Sequence, residues 1–223
     1  MSMTLSRKPL HLDFVSDITC PWCAIAHKTL ELVRQRLAGE VSFTLHLQPF
    51  ELNPAMGSDG EPLLQHLAGK YGSTPEQLAQ MHQSIAERGR ELGFAFNDER
   101  RTHIYNTFDA HRLLYWALQE GSAAQQLALG GALLQAYFGR GENPGDHALL
   151  QRLAAEAGLD AQRAGQVLAG DEFATGVRER ENHWQAQGIR SVPAVIINGR
   201  HLVQGGQPVQ VFEQALRQVA AQG

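Results

Sequence analysis

Leu10-His11-Leu12-Asp13-Phe14-Val15-Ser16-Asp17-Ile18-Thr19-Cys20-Pro21-Trp22-Cys23-Ala24-Ile25-Ala26 carries the strongest structural signal in the chain. Leu10, Leu12, Phe14 and Val15 form the apolar run of a buried strand. Beyond Cys23, the residues Ala26, Leu30, Val33 and Leu37 recur at helical spacing up to Gly39. Cys20 and Cys23, the chain's two cysteines, therefore stand where a strand ends and a helix begins. A thiol at a helix N-terminus faces unpaired backbone N–H groups and the positive end of the macrodipole, and both favour the thiolate. Cys20 is the candidate nucleophile. Cys23, one helical turn further in, is placed to attack a mixed disulfide formed on Cys20. Pro21 suits the first turn, where its missing N–H has no intrahelical partner in any case.

Other uses of the pair are weaker. A bond closing so short a loop removes little unfolded-chain entropy, so it makes a poor staple. No second Cys-x-x-Cys and no His pair at knuckle spacing lies near it, so no metal site is expected. Two small buried hydrophobes are the plain alternative.

Outward from this stretch, Val41, Phe43, Leu45 and Leu47 alternate with polar residues up to Pro49, which reads as a second strand and completes a βαβ unit with a parallel pair. Near the other end, Ala194-Val195-Ile196-Ile197 and His201-Leu202-Val203-Gln204 flank Asn198-Gly199-Arg200, a strong hairpin signal. From Pro208, Val211, Phe212, Ala215, Leu216 and Val219 share one helical face. Between the halves the chain reads as helical from about Pro62 to Gly170, with segments at Thr74 to Leu92, Asn106 to Glu120, Ser122 to Phe138, His147 to Ala157 and Ala161 to Ala169. Thr74-Pro75-Glu76-Gln77 and Ser122-Ala123-Ala124-Gln125 both have the capping-box pattern.

The order of elements is α/β: a thioredoxin fold with a large all-helical insertion between its βαβ and ββα halves. Residues 9–60 and 171–223 are assigned to the thioredoxin-like domain and residues 61–170 to the inserted helical domain. Cys20-Pro21-Trp22-Cys23 after the first strand, with Ser191-Val192-Pro193-Ala194 leading into the third, resembles the DsbA-like branch of the thioredoxin superfamily. Gln48-Pro49-Phe50-Glu51-Leu52-Asn53-Pro54, Asn106-Thr107-Phe108-Asp109-Ala110-His111-Arg112-Leu113 and Gly188-Ile189-Arg190-Ser191-Val192-Pro193 are similar, more closely, to FrnE-type cytoplasmic dithiol-disulfide oxidoreductases and isomerases.

The resemblance implies that Pro193 has a cis peptide bond and lies beside the reactive thiol, with the Val192 backbone presented to an extended substrate. It also implies thiol–disulfide exchange through a redox-active disulfide, with no tightly bound cofactor and with glutathione as a potential co-substrate. The best-known periplasmic oxidants of the branch have His where Trp22 stands, so a strongly oxidising potential does not carry over. Trp22 instead offers an apolar platform next to Pro21. Redox direction stays open.

Two further places are candidates for substrate contact. Phe50 and Asn53 follow the second strand, where ligands sit in open α/β sheets. The competing account is a turn, with Phe50 packed under the insertion. Phe108, His111, Tyr115 and Leu118 share a helix face that would turn His111 toward the cleft if that helix covers it; a structural histidine is the competing account.

With 43% hydrophobic residues and 22 Gly and 9 Pro spread along 223 positions, the chain is neither disordered nor low in complexity. A net charge of −4 offers no broad basic field for nucleic acid or anionic lipid, which leaves protein thiols or small-molecule disulfides as partners. Arg7 and Lys8 are followed by no apolar run of the kind a signal peptide needs, and no stretch has the roughly 18 apolar residues of a membrane span, so a cytoplasmic protein is expected. Apolar positions on the insertion leave a homodimer face open. Three functions compete: a CPWC thiol–disulfide oxidoreductase or isomerase; a glutathione-dependent isomerase or transferase of a small aromatic compound, of the 2-hydroxychromene-2-carboxylate isomerase or kappa-class type, whose members usually have Ser in place of the first Cys; and a non-catalytic binding module or chaperone.

Overall fold

A computed structural model describes residues 9–222. The reading of Arg7 and Lys8 falls outside them. In chain order the elements are β1 (Leu10–Ser16), α1 (Pro21–Arg36), β2 (Phe43–Pro49), β3 (Glu61–Pro62), α2 (Leu63–Tyr71), α3 (Pro75–Glu91), β4 (His103–Ile104), α4 (Phe108–Trp116), α5 (Ala123–Leu134), α6 (His147–Glu156), α7 (Ala161–Ala169), α8 (Ala174–Ala186), β5 (Ala194–Ile197), β6 (His201–Gln204) and α9 (Val209–Gln222). The main sheet has the order β2-β1-β5-β6, with β1 parallel to β2 and the other pairs antiparallel. This is the thioredoxin arrangement with helices inserted between β2 and β5.

Alternation along β1 decides which residues face which layer. Leu12 and Phe14 join Leu30 and Val33 of α1 and Phe212 and Leu216 of α9 in one core, while Val15 turns to the other face, under Trp184 of α8. Leu113, Leu129, Leu133, Tyr137 and Phe138, all from the insertion, belong to the first core as well, and none is accessible to solvent. The inserted helices thus share the hydrophobic driving force of the sheet.

The closest seam lies between α5 and β2. As an edge strand, β2 would expose backbone groups; Gln126 covers them, its Oε1 accepting from Leu47 N at 2.9 Å and its Nε2 donating to Leu47 O at 2.9 Å and to Leu114 O at 3.0 Å. Gly130, on the next turn, lets α5 approach: a Cβ there would fall 2.3 Å from Leu47 Cδ1.

Local signals were met where local bonds decide. The Thr74 capping box is complete, with Gln77 N donating to Thr74 Oγ1 and Thr74 N to Gln77 Oε1. At the Asn-Gly hairpin both Asn198 (φ 50°) and Gly199 (φ 65°) are left-handed, and Arg200 N donates to Ile197 O. The second expected box is half formed: Ser122 Oγ accepts from Gln125 N, but Gln125 Nε2 donates to Gly158 O. The insertion also departs from an all-helical unit, because β3 and β4 pair as a two-residue antiparallel ladder. The segments expected at 106–120 and 122–138 each pass into a wider π-helical turn, at Ala117–Gly121 and Gln135–Arg140. Neither α2 nor α8 stood out in the sequence pattern. In α8 only Val177, Glu181 and Trp184 are buried, among charged residues, so its apolar periodicity is faint. No helix among the described residues is long and apolar enough to cross a membrane.

Candidate active site

Cys20 is the N-cap of α1, in extended conformation, with Pro21 in the first helical position. Its N–H donates to Asp17 O, and its carbonyl accepts from Cys23 N at 3.0 Å, which winds the second cysteine beneath the first. Both are free thiols; Cys20 is 5% exposed and Cys23 1%. The Val192–Pro193 peptide is cis, the geometry the resemblance implied, and Cys20 Sγ–H donates to Val192 O at 3.8 Å. That contact joins residues 172 positions apart and brings the two halves of the fold together at the thiol.

Burial pushes the Cys23 thiol well above its ordinary value, and the neighbouring Cys20 and the Asp17 charge push the same way. Asp17 is itself buried. Its Oδ2 accepts from Leu52 N at 2.8 Å and Thr19 Oγ1 at 3.2 Å, and its Oδ1 lies 3.6 Å from His111 Nε2. His111 is thus turned inward, behind the dithiol. The rest of its helix face is covered by α8: the Arg178 guanidinium lies 3.9 Å from the centre of the Phe108 ring, and the Tyr115 ring packs on Gly176. Arg178 also pairs with the buried Glu51 and, at 2.8 Å, with Glu181.

The other sequence candidates are placed as follows. Trp22 is 39% exposed, its ring lying against Gly206. Phe50 is half-buried and packs, with Val192, against Val15, Trp184 and Ile189. Asn53 is tied down by α2, its Oδ1 accepting from Lys70 Nζ at 2.7 Å and facing His66 Nε2 at 3.1 Å. Sequence reasoning missed Asp17 and Tyr71. Asp17 was legible only as a charge interrupting an apolar run. Tyr71, at the end of α2, is 58% exposed, and partial burial, with the charge of Cys20 as the smaller cause, raises its phenol above the usual value.

A thiol at a helix N-terminus, a second thiol one turn below and a cis proline against the first stand together, and residues 11–217 match the DSBA-like thioredoxin domain. The chain belongs to the DSBA-like thioredoxin family. Within this family of thiol–disulfide oxidoreductases and isomerases, the chain is similar to a probable DsbA oxidoreductase from Streptomyces coelicolor, at 31% identity and a TM-score of 0.86 over 96% of this chain and 91% of that one. Its fold is also similar to a 2-hydroxychromene-2-carboxylate isomerase (16% identity, TM-score 0.71, 95% of this chain and 97% of that one). A third likeness is to the cytosolic disulfide reductase DsbM from Pseudomonas aeruginosa with GSH (18% identity, TM-score 0.62, 93% of this chain and all of that one).

Proposed function

We propose that this DsbA-like protein is a FrnE-type thiol–disulfide oxidoreductase or isomerase that works in the cytoplasm on protein or small-molecule disulfides, with glutathione as co-substrate. The observation that carries the reading is the meeting of Cys20 Sγ with Val192 O next to cis-Pro193, because it aligns a nucleophilic sulfur with a backbone strip on which an extended disulfide substrate can lie. The likeness to the cytosolic disulfide reductase DsbM with GSH supports the compartment and the co-substrate.

In the reductive direction the Cys20 thiolate attacks one sulfur of the substrate disulfide. An S–S bond forms, the substrate S–S bond breaks, and the first substrate sulfur leaves as thiolate. Cys20 is now neutral, so the charge and the hydrogen bond that helped hold Cys23 protonated are gone, and Cys23 ionises more readily than before. Its thiolate attacks Cys20 Sγ and expels the second substrate thiolate, leaving a Cys20–Cys23 disulfide. Two electrons pass to the substrate, and the protons lost by Cys20 and Cys23 balance those its two thiols gain. Two glutathione molecules restore the dithiol and leave as glutathione disulfide. Trp22, exposed next to Cys23, offers an apolar wall, and Asp17 with His111 sets the charge beneath the dithiol.

Equilibration in graded glutathione buffers, followed by alkylation and mass analysis, tests the reading. Joint, reversible loss of both thiols at a potential between about −270 and −120 mV is expected. If both thiols stay reduced, or take up glutathione only singly without forming their own disulfide, the oxidoreductase reading falls and the glutathione-dependent isomerase takes its place.

A further inference from the structure

His11 and Asp13 stand two residues apart on β1 and so share one face of the sheet, the face that α8 covers. The parallel register sets His46 of β2 directly opposite Asp13. One ligand atom from each of the three lies within 4.8 Å of the other two. His11 Nε2 is 3.1 Å from Asp13 Oδ2, and the His11 and His46 rings meet edge-on with centroids 4.6 Å apart. None of this enters the thiol chemistry: the cluster sits toward the start of β1, whereas Cys20 follows its end.

We propose that His11, Asp13 and His46 bind a divalent transition-metal ion of the zinc class. Two imidazoles and a carboxylate are the nitrogen and oxygen donors such ions take, with bonds of about 2.0–2.2 Å. Tetrahedral bonds of that length put the donor atoms about 3.3 Å apart, so the existing spacing closes onto an ion by small side-chain rotations while both strands stay fixed. Calcium and magnesium are disfavoured, because they require all-oxygen sets.

The surroundings are those of a built ligand set. Gln48 Nε2 donates to Asp13 Oδ1 at 2.6 Å, which leaves Oδ2 turned to the imidazoles and fixes the carboxylate plane. The backbone of His11 is held on both sides by Asn198, whose Oδ1 accepts from His11 N and whose N–H donates to His11 O. The three ligands open on a cavity of about 530 Å³ that Arg180, His183 and Arg200 also line. One carboxylate leaves a divalent ion with a net positive charge, and the two arginines bring more, so the fourth position suits hydroxide or another small anion.

The test uses the full chain with Cys20→Ser and Cys23→Ser, since the thiols themselves would ligate zinc. Equilibrium dialysis with Zn²⁺ is expected to retain one ion per chain, and Co²⁺ in its place to give visible d–d bands of a four- or five-coordinate site without a sulfur charge-transfer band. His11→Gln and His46→Gln should each weaken Zn²⁺ binding at least tenfold, and Gln48→Ala, which frees the carboxylate, about tenfold. Unchanged stoichiometry and affinity in the folded His11→Gln/His46→Gln double variant would overturn the proposal, as would the absence of any d–d bands with one equivalent of Co²⁺. Should the double variant not fold, His11→Gln alone decides, because that side chain is partly exposed, near the start of β1.

Discussion

The carboxylate of Asp17 stands 3.6 Å from the imidazole Nε2 of His111, with both side chains sealed from solvent immediately behind Cys20. Burial alone would raise the Asp17 carboxyl, but His111 outweighs it, together with the donors Leu52 and Thr107, and holds the group below 3.8. Burial alone would lower His111, but Asp17 outweighs it, with Glu51 and Glu181 adding, and holds the imidazole above 6.5. Between pH 3.8 and 6.5 the pair therefore carries both charges under the dithiol, and breaking it by removing one partner costs about 3–5 kcal/mol.

A pH signature follows from these directions. The His111 contribution is complete below the unfolded value of 6.5 and is lost as pH rises through the higher folded value. The Asp17 contribution is present above its unfolded 3.8 and is lost as pH falls through the lower folded value. Urea midpoints measured across pH should show the pair's full stabilisation between 3.8 and 6.5, with a decline on the alkaline side that His111→Gln abolishes. Equal alkaline slopes in the two proteins would refute it.

Cys23→Ser is expected to accumulate a mixed disulfide between Cys20 and glutathione, since nothing is left to expel it. Cys20→Ser should form almost none, because Cys23 is 1% exposed and its thiol is held well above the ordinary range. Intact-mass analysis with peptide mapping reads both, and comparable adducts on Cys23 would contradict the assignment of roles.

At Gly206 a Cβ would fall 2.8 Å from Trp22 Cε3, so Gly206→Ala must move the exposed ring. A few-fold fall in disulfide-reduction rate and a change in near-ultraviolet circular dichroism are expected, with the melting temperature nearly unchanged. An unaltered rate would show that Trp22 does not line the substrate path.

Gln126→Ala leaves Leu47 N and Leu47 O without their side-chain partner, while Leu114 O keeps the Ala117 N–H. At about 1–3 kcal/mol for each buried group left unsatisfied, less whatever water recovers, a loss of about 2–4 kcal/mol is expected in denaturant unfolding. Hydrogen exchange at the Leu47 amide should rise with it. A loss under 1 kcal/mol would mean that the seam holds without this side chain.

Features set by short-range physics could be read along the chain. A period-two run, a helical repeat, an Asn-Gly turn and a Thr-x-x-Gln cap each act over a few residues, so β1, α1, β2, the β5–β6 hairpin and the start of α3 were legible, and with them the placement of Cys20 and Cys23 at a strand–helix junction. Roles that depend on distant partners emerge from packing between elements. Asp17 acquires its role from His111, 94 positions away, and Glu51 can be buried because Arg178 arrives on α8, whose own apolar pattern is too faint to announce it. His46 meets Asp13 only through the parallel register. Periodicity records which face of an element is buried; it holds no record of which charged group waits on the other side, because that pairing is set by packing between elements rather than by spacing within one.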